Sequence, residues 1–103
     1  MIQVGLQHFL MVGALLFCLG ILCVLTRRNA VAVLIGIELM LNAAGLNFIA
    51  FARHQGDLAG GSLLVLFVIV LAAAEAAVAL ALILAFRRQV RTLDVDQIDS
   101  LKG

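Results

Sequence analysis

The chain contains no proline, no tryptophan and no tyrosine, and only 13% of its 103 residues are charged. Each shortage narrows the field. A small dimeric drug exporter surrounds its acid with aromatics and usually has four spans, so the lack of Trp and Tyr argues against one. No basic stripe interleaved with aromatics exists, which leaves nucleic-acid binding without support. The missing proline removes one cause of helix kinks, although a local bulge needs none. The two cysteines, Cys18 and Cys23, share one apolar run. On a helix they stand about 7.5 Å apart along the axis, too far for a disulfide without backbone movement. They read as small buried hydrophobes. No metal-ligand spacing is present.

What remains is overwhelmingly apolar. Hydrophobic residues make up 65% of the chain, and the mean hydropathy is +1.22. A soluble domain is nearer about 45–50% apolar, and a fold of this size could not cover three long apolar runs in water. The class is therefore all-α integral membrane. The runs cover about residues 4–25, 30–52 and 61–86, followed by a polar tail over 87–103. Each exceeds the roughly 20 residues needed to cross a hydrocarbon core of about 30 Å. The first run lacks a preceding basic region, and Arg27 and Arg28 follow it, so it reads as a retained helix and not a signal peptide. Asn29 is placed to cap the second helix. Gly56-Asp57 and Gly60-Gly61 mark a turn before the third. Links this short make neighbouring helices antiparallel and leave room for a single membrane domain over 1–103.

Net charge is +1, but its distribution is informative. Arg27 and Arg28 occupy the first loop; Arg87, Arg88, Arg91 and Lys102 occupy the tail; Arg53 in the second loop is balanced by Asp57. With three spans the first loop and the tail share a side. By the positive-inside rule that side is cytoplasmic, and the N-terminus lies outside. His8 and His54 fall at or near the outer ends and read as interfacial or solvated groups.

Two acids, Glu38 and Glu75, lie within the spans. A charged group at a bilayer centre costs about 2.5–3.5 kcal/mol on insertion scales, which makes an intramembrane acid a functional hypothesis by default. Counted from the cytoplasmic side, Glu38 is about 13 Å deep and Glu75 about 16 Å. Two carboxyls at one depth suit lateral proton transfer better than a pore. Asn42, one turn beyond Glu38, shares its face and can hydrogen-bond the carboxyl or a water. Gly45 continues that face. Turned by about half a circle are Ala32, Gly36, Ala43, Asn47 and Ala50. Gly13 and Gly20 line one face of the first helix, and alanines surround Glu75. So many small faces exceed what three helices can satisfy among themselves, which implies burial in a larger membrane complex.

Three stretches, LTRRNAV, LIGIELMLNAAGLNFIAF and VLAAAEAAVALALIL, with the RRQVRTLDVD tail and final Gly103, carry a family likeness. The chain resembles the subunit K family of proton-pumping NADH:quinone oxidoreductase, respiratory complex I, whose mitochondrial counterpart is the 4L subunit. IELMLNA and AAAEAA at this separation are its most specific parts. The resemblance implies three transmembrane helices in a bacterial cytoplasmic (inner) membrane and no cofactor on this chain. FMN, iron–sulfur clusters and quinone would belong to other subunits. It implies a place beside subunits A, J and N, between the quinone-side subunits and the first antiporter-like one. It puts Glu38 and Glu75 in the row of polar residues along the membrane arm, and Arg27-Arg28 in the family's basic cytoplasmic loop, for topology or subunit contact.

The alternative is the small subunit of a multisubunit sodium/proton antiporter, which shares the three-helix plan. A rotor-ring subunit would have two spans and one acid.

Overall fold

The computed structural model describes residues 4–102; residues 1–3 and the terminal Gly103 lie outside the described part. Three helices follow one another: α1 (Leu6–Thr26), α2 (Ala30–Gln55) and α3 (Leu58–Lys102). All three are long and apolar enough to cross a membrane. Each runs without an internal break, so no bulge interrupts the described spans.

The joints follow from local chemistry. The Gly5 N–H donates to His8 Nδ1 at 3.2 Å where α1 begins. The chain leaves α1 through an extended Arg27. Asn29 caps α2, its Oδ1 accepting from the Val31 N–H at 3.0 Å. At the other end Gly56 adopts φ +82°, a left-handed conformation that glycine reaches without a Cβ clash. The Asp57 N–H then returns to the Ala52 carbonyl at 2.9 Å, closing the turn. Arg53 and His54 in the last turn of α2 suit the negative end of its dipole.

The third helix departs from the sequence expectation at both ends. It starts at Leu58, not 61, because the Asp57 carboxylate accepts from the Gly60 N–H at 3.1 Å and caps the first turn. The loop is thereby reduced to Gly56 and Asp57, and α2 extends to Gln55. At the far end, the stretch expected to be a separate polar tail continues the same helix to Lys102. The reason is continuity: a long helix already supplies the nucleus, and nothing from Arg87 to Lys102 is proline or glycine. The Thr92 hydroxyl bonds back to the Arg88 carbonyl at 2.9 Å.

The three helices form a row, not a triangle. α2 packs against α1 on one side and α3 on the other, while α1 and α3 do not pack together. With its long third helix the molecule measures 74 × 26 × 18 Å. The interior is made of small residues: Gly13 and Gly20 from α1, Gly36, Ala43, Gly45 and Ala50 from α2, and Val65 and Ala72 from α3. Among the described residues no large side chain is fully buried. That pattern suits a bilayer, where close backbone approach and van der Waals contact, not hydrophobic burial, hold helices together.

Candidate functional site

The site begins with a register. At the non-basic end, Gly61 of α3 stands directly against Ala52 of α2, so closely that a Cβ on Gly61 would overlap that of Ala52. Fourteen residues back along α2 lies Glu38, and fourteen forward along α3 lies Glu75. Antiparallel helices of equal rise therefore bring the two acids to one level, about 21 Å from the contact. The same register aligns the Arg27-Arg28 loop with Ala85 and Phe86, next to Arg87. Both loop arginines are exposed. The basic residues of loop and tail thus share one end of the molecule.

Level placement does not make the acids face each other. Glu38 is half-buried and lines a groove between α2 and α3, with Leu34, Asn42, Ala76 and Leu80 among its walls. Its volume is about 370 Å³, and most of its lining is apolar. Asn42 is exposed into this groove and also borders the next, where Gly45 meets Val65 and Ala72. Glu75 is exposed on the flank of α3. It sits about 60° around the helix from the buried Ala72, just outside the strip that touches α2. Among the described residues neither carboxylate has a hydrogen-bond partner, and neither does the Asn42 amide.

The opposite face of α2 is closed. A Cβ on Gly20 would stand 2.6 Å from the Gly36 carbonyl oxygen, and one on Gly36 would stand 2.8 Å from that of Gly20. Gly13 makes room for Asn47, whose Oδ1 is buried without a hydrogen-bond partner. The face expected from spacing, Gly36, Ala43, Asn47 and Ala50, is the one that meets α1. Cys23 ties the end of α1 to the start of α2, its thiol donating to the Ala32 carbonyl at 3.1 Å. Cys18 corrects the reading of both cysteines as buried: it is exposed, on the face of α1 turned away from α2. Sequence reasoning also missed that Arg53 lies over the Phe9 ring, 5.4 Å from its centroid. Forty-four positions separate the two, and no local pattern links them.

The three membrane-capable helices agree with the comparisons. Residues 8–103 match the family described as NADH-ubiquinone/plastoquinone oxidoreductase chain 4L. The chain is 48% identical to NADH-quinone oxidoreductase subunit K of Chlorobaculum parvum, over 98% of this chain and 95% of that one. The subunit K of Desulfitobacterium hafniense is 50% identical, with 98% and 97% covered. For subunit K 1 of Koribacter versatilis the identity is 48%, over 99% of each. Full-length similarity of this kind, on a chain of three membrane-capable helices, makes it a multi-pass membrane protein belonging to the chain 4L, or subunit K, family of NADH-quinone oxidoreductase.

Proposed function

We propose that this chain is a relay element in the membrane arm of a proton-translocating NADH:quinone oxidoreductase, with Glu38 and Glu75 as its proton-carrying groups. The observation that supports it best is the shared level of the two carboxyls on antiparallel helices. A proton held at one depth moves along the membrane plane, from one subunit to the next, without a continuous pore across this chain. Glu38, in a mostly apolar groove, takes up or releases the proton, and Asn42 orients the carboxyl or a bridging water. Glu75, on the outer flank of α3, faces the neighbouring subunit and passes the charge change outward. Quinone reduction elsewhere in the complex supplies the driving change. This chain's own role is to hold and move protons, without redox chemistry or a cofactor of its own.

The reading carries a topology. The end bearing Arg27, Arg28, Arg87 and Arg88 is cytoplasmic, the N-terminus lies outside, and the membrane is the bacterial inner membrane. Subunits A, J and N are the proposed neighbours. They and lipid would cover the exposed apolar side chains, among them Leu15, Leu63, Phe67 and Leu82. The names of the relatives favour this reading over the sodium/proton antiporter subunit.

The decisive test is Glu38→Gln in the intact complex, reconstituted in vesicles. Assembly and NADH oxidation with an artificial acceptor are expected to persist. Quinone-coupled proton pumping is expected to fall at least about tenfold, which corresponds to ~1.4 kcal/mol on the controlling barrier. Full pumping would overturn the role given to Glu38.

A further inference from the structure

Residues 87–102 stand outside the apolar span yet remain one helix with it. They project about 24 Å past the membrane-spanning part. The extension makes no contact with α1, and the side chains of residues 87–101 are exposed. Five of the six apolar residues from Phe86 onward gather on one side: Phe86, Val90, Leu93, Ile98 and Leu101 fall within an arc about 140° wide that also holds Arg87, Asp94 and Gln97, whereas Val95 lies outside it and Thr92, Asp96 and Asp99 lie opposite. Leu93 is 60% exposed and Leu101 88% exposed. Charge is ordered along the axis: Arg87, Arg88 and Arg91 come first, then Asp94, Asp96 and Asp99, with Lys102 at the end. In the last turn Asp99 opposes the helix dipole and Lys102 suits it.

We propose that residues 87–102 form a docking helix for a neighbouring protein subunit. Its complementary surface is acidic next to the membrane and basic further out, with an apolar strip between. The proposal rests on the reading that the chain sits in the oxidoreductase complex with this end cytoplasmic. A lipid surface is a poor match for the same feature. Lying on the membrane would require a sharp bend after Phe86, where the helix is unbroken and has no proline or glycine. The three aspartates would also be repelled by an anionic leaflet. A second copy of this chain is a poor match as well. Two copies inserted with one topology run parallel, which sets arginine against arginine and aspartate against aspartate. A different subunit with the reverse order of charge satisfies the apolar stripe and both charge blocks together.

The test uses the full complex, isolated through a tag on another subunit. A photoreactive benzophenone side chain replaces Leu93, Ile98 or Leu101 on the apolar stripe, or Thr92 or Asp99 opposite it. Irradiation of membranes is expected to give an adduct with one identified subunit of the complex from the stripe positions, at several times the yield from the opposite face. Reversing Asp94, the acid on the stripe, to lysine should cut that yield about fivefold, because the basic partner surface is then repelled. Loss of assembly for all three stripe variants, with both opposite-face variants assembling, supports the same conclusion. Adducts only with lipid, only with a second copy, equally from both faces, or none at all would overturn it. Recovery of this chain with the tagged subunit is scored separately, on the unsubstituted chain. Its absence would sink complex membership, whereas its presence without the stripe-specific adduct would sink only the docking helix.

Discussion

The two seams on either side of α2 are built differently. Against α1, glycine meets glycine: Gly20 and Gly36 approach so closely that neither has space for a methyl group. Cys23 bonds the Ala32 carbonyl at one end of that seam, and Arg53 covers Phe9 at the other. Against α3, contact is tight where Gly61 meets Ala52 and loosens toward the basic end, where Glu38 and Asn42 line an open groove. The closed seam fixes where α2 stands. The open one leaves polar side chains on that fixed helix free to meet water or a neighbour. Preorganisation and access are thus divided between two faces of one helix, half a turn apart.

Substitutions can break or sharpen this contrast. The largest effect is expected at the closed seam. In Gly20→Leu the new side chain would have to enter space held by the Gly36 carbonyl and Met40. Overpacking costs typically about 1–3 kcal/mol and more against backbone, and native gels should show little or no assembled complex. The E38Q loss of pumping comes next and should leave assembly intact, because the groove is open. Glu75→Gln should act in the same direction but more weakly, about two- to threefold by the same vesicle assay, since an exposed carboxyl on the flank is easier to bypass with water. Equal or reversed losses in the two variants would show that the difference in their surroundings does not matter. The smallest effect is expected for Gly45→Ala. A Cβ there would stand 3.5 Å from Val65 Cγ1, an ordinary contact. Assembly and pumping should match the parent, whereas the same change at Gly36 should lower assembly measurably.

How much of this was legible in the sequence depends on the range of the interaction. The Asn29 cap, the Gly56 turn and the two faces of α2 follow from local chemistry and a period of 3.6 residues. Matched depth for Glu38 and Glu75 was legible because short loops and fixed rise convert sequence position into height. The orientation of the carboxyls was not. Glu75 lies about 60° from Ala72, just outside the strip that meets α2, and that strip is set by which of the surrounding alanines, here Ala72 and Ala76, are drawn inward. The course of α3 past Phe86 was misread for a related reason. A drop in hydropathy marks where a helix leaves the membrane, not where it ends, because backbone hydrogen bonds close equally well in water.

The sequence by itself determined the membrane class, the three spans, the family and the two acids that have no local need to be there. Those properties depend on composition, run length and residue identity, which any folded arrangement must inherit. Only the tertiary structure decided that the helices stand in a row with α2 in the middle. It also decided that one seam closes on glycines while the other opens at Glu38, and that Glu75 turns to the outer flank. Each of these depends on which small residues meet across helices. That choice is made by side-chain volume and backbone approach between segments far apart in the chain, and no local pattern encodes it.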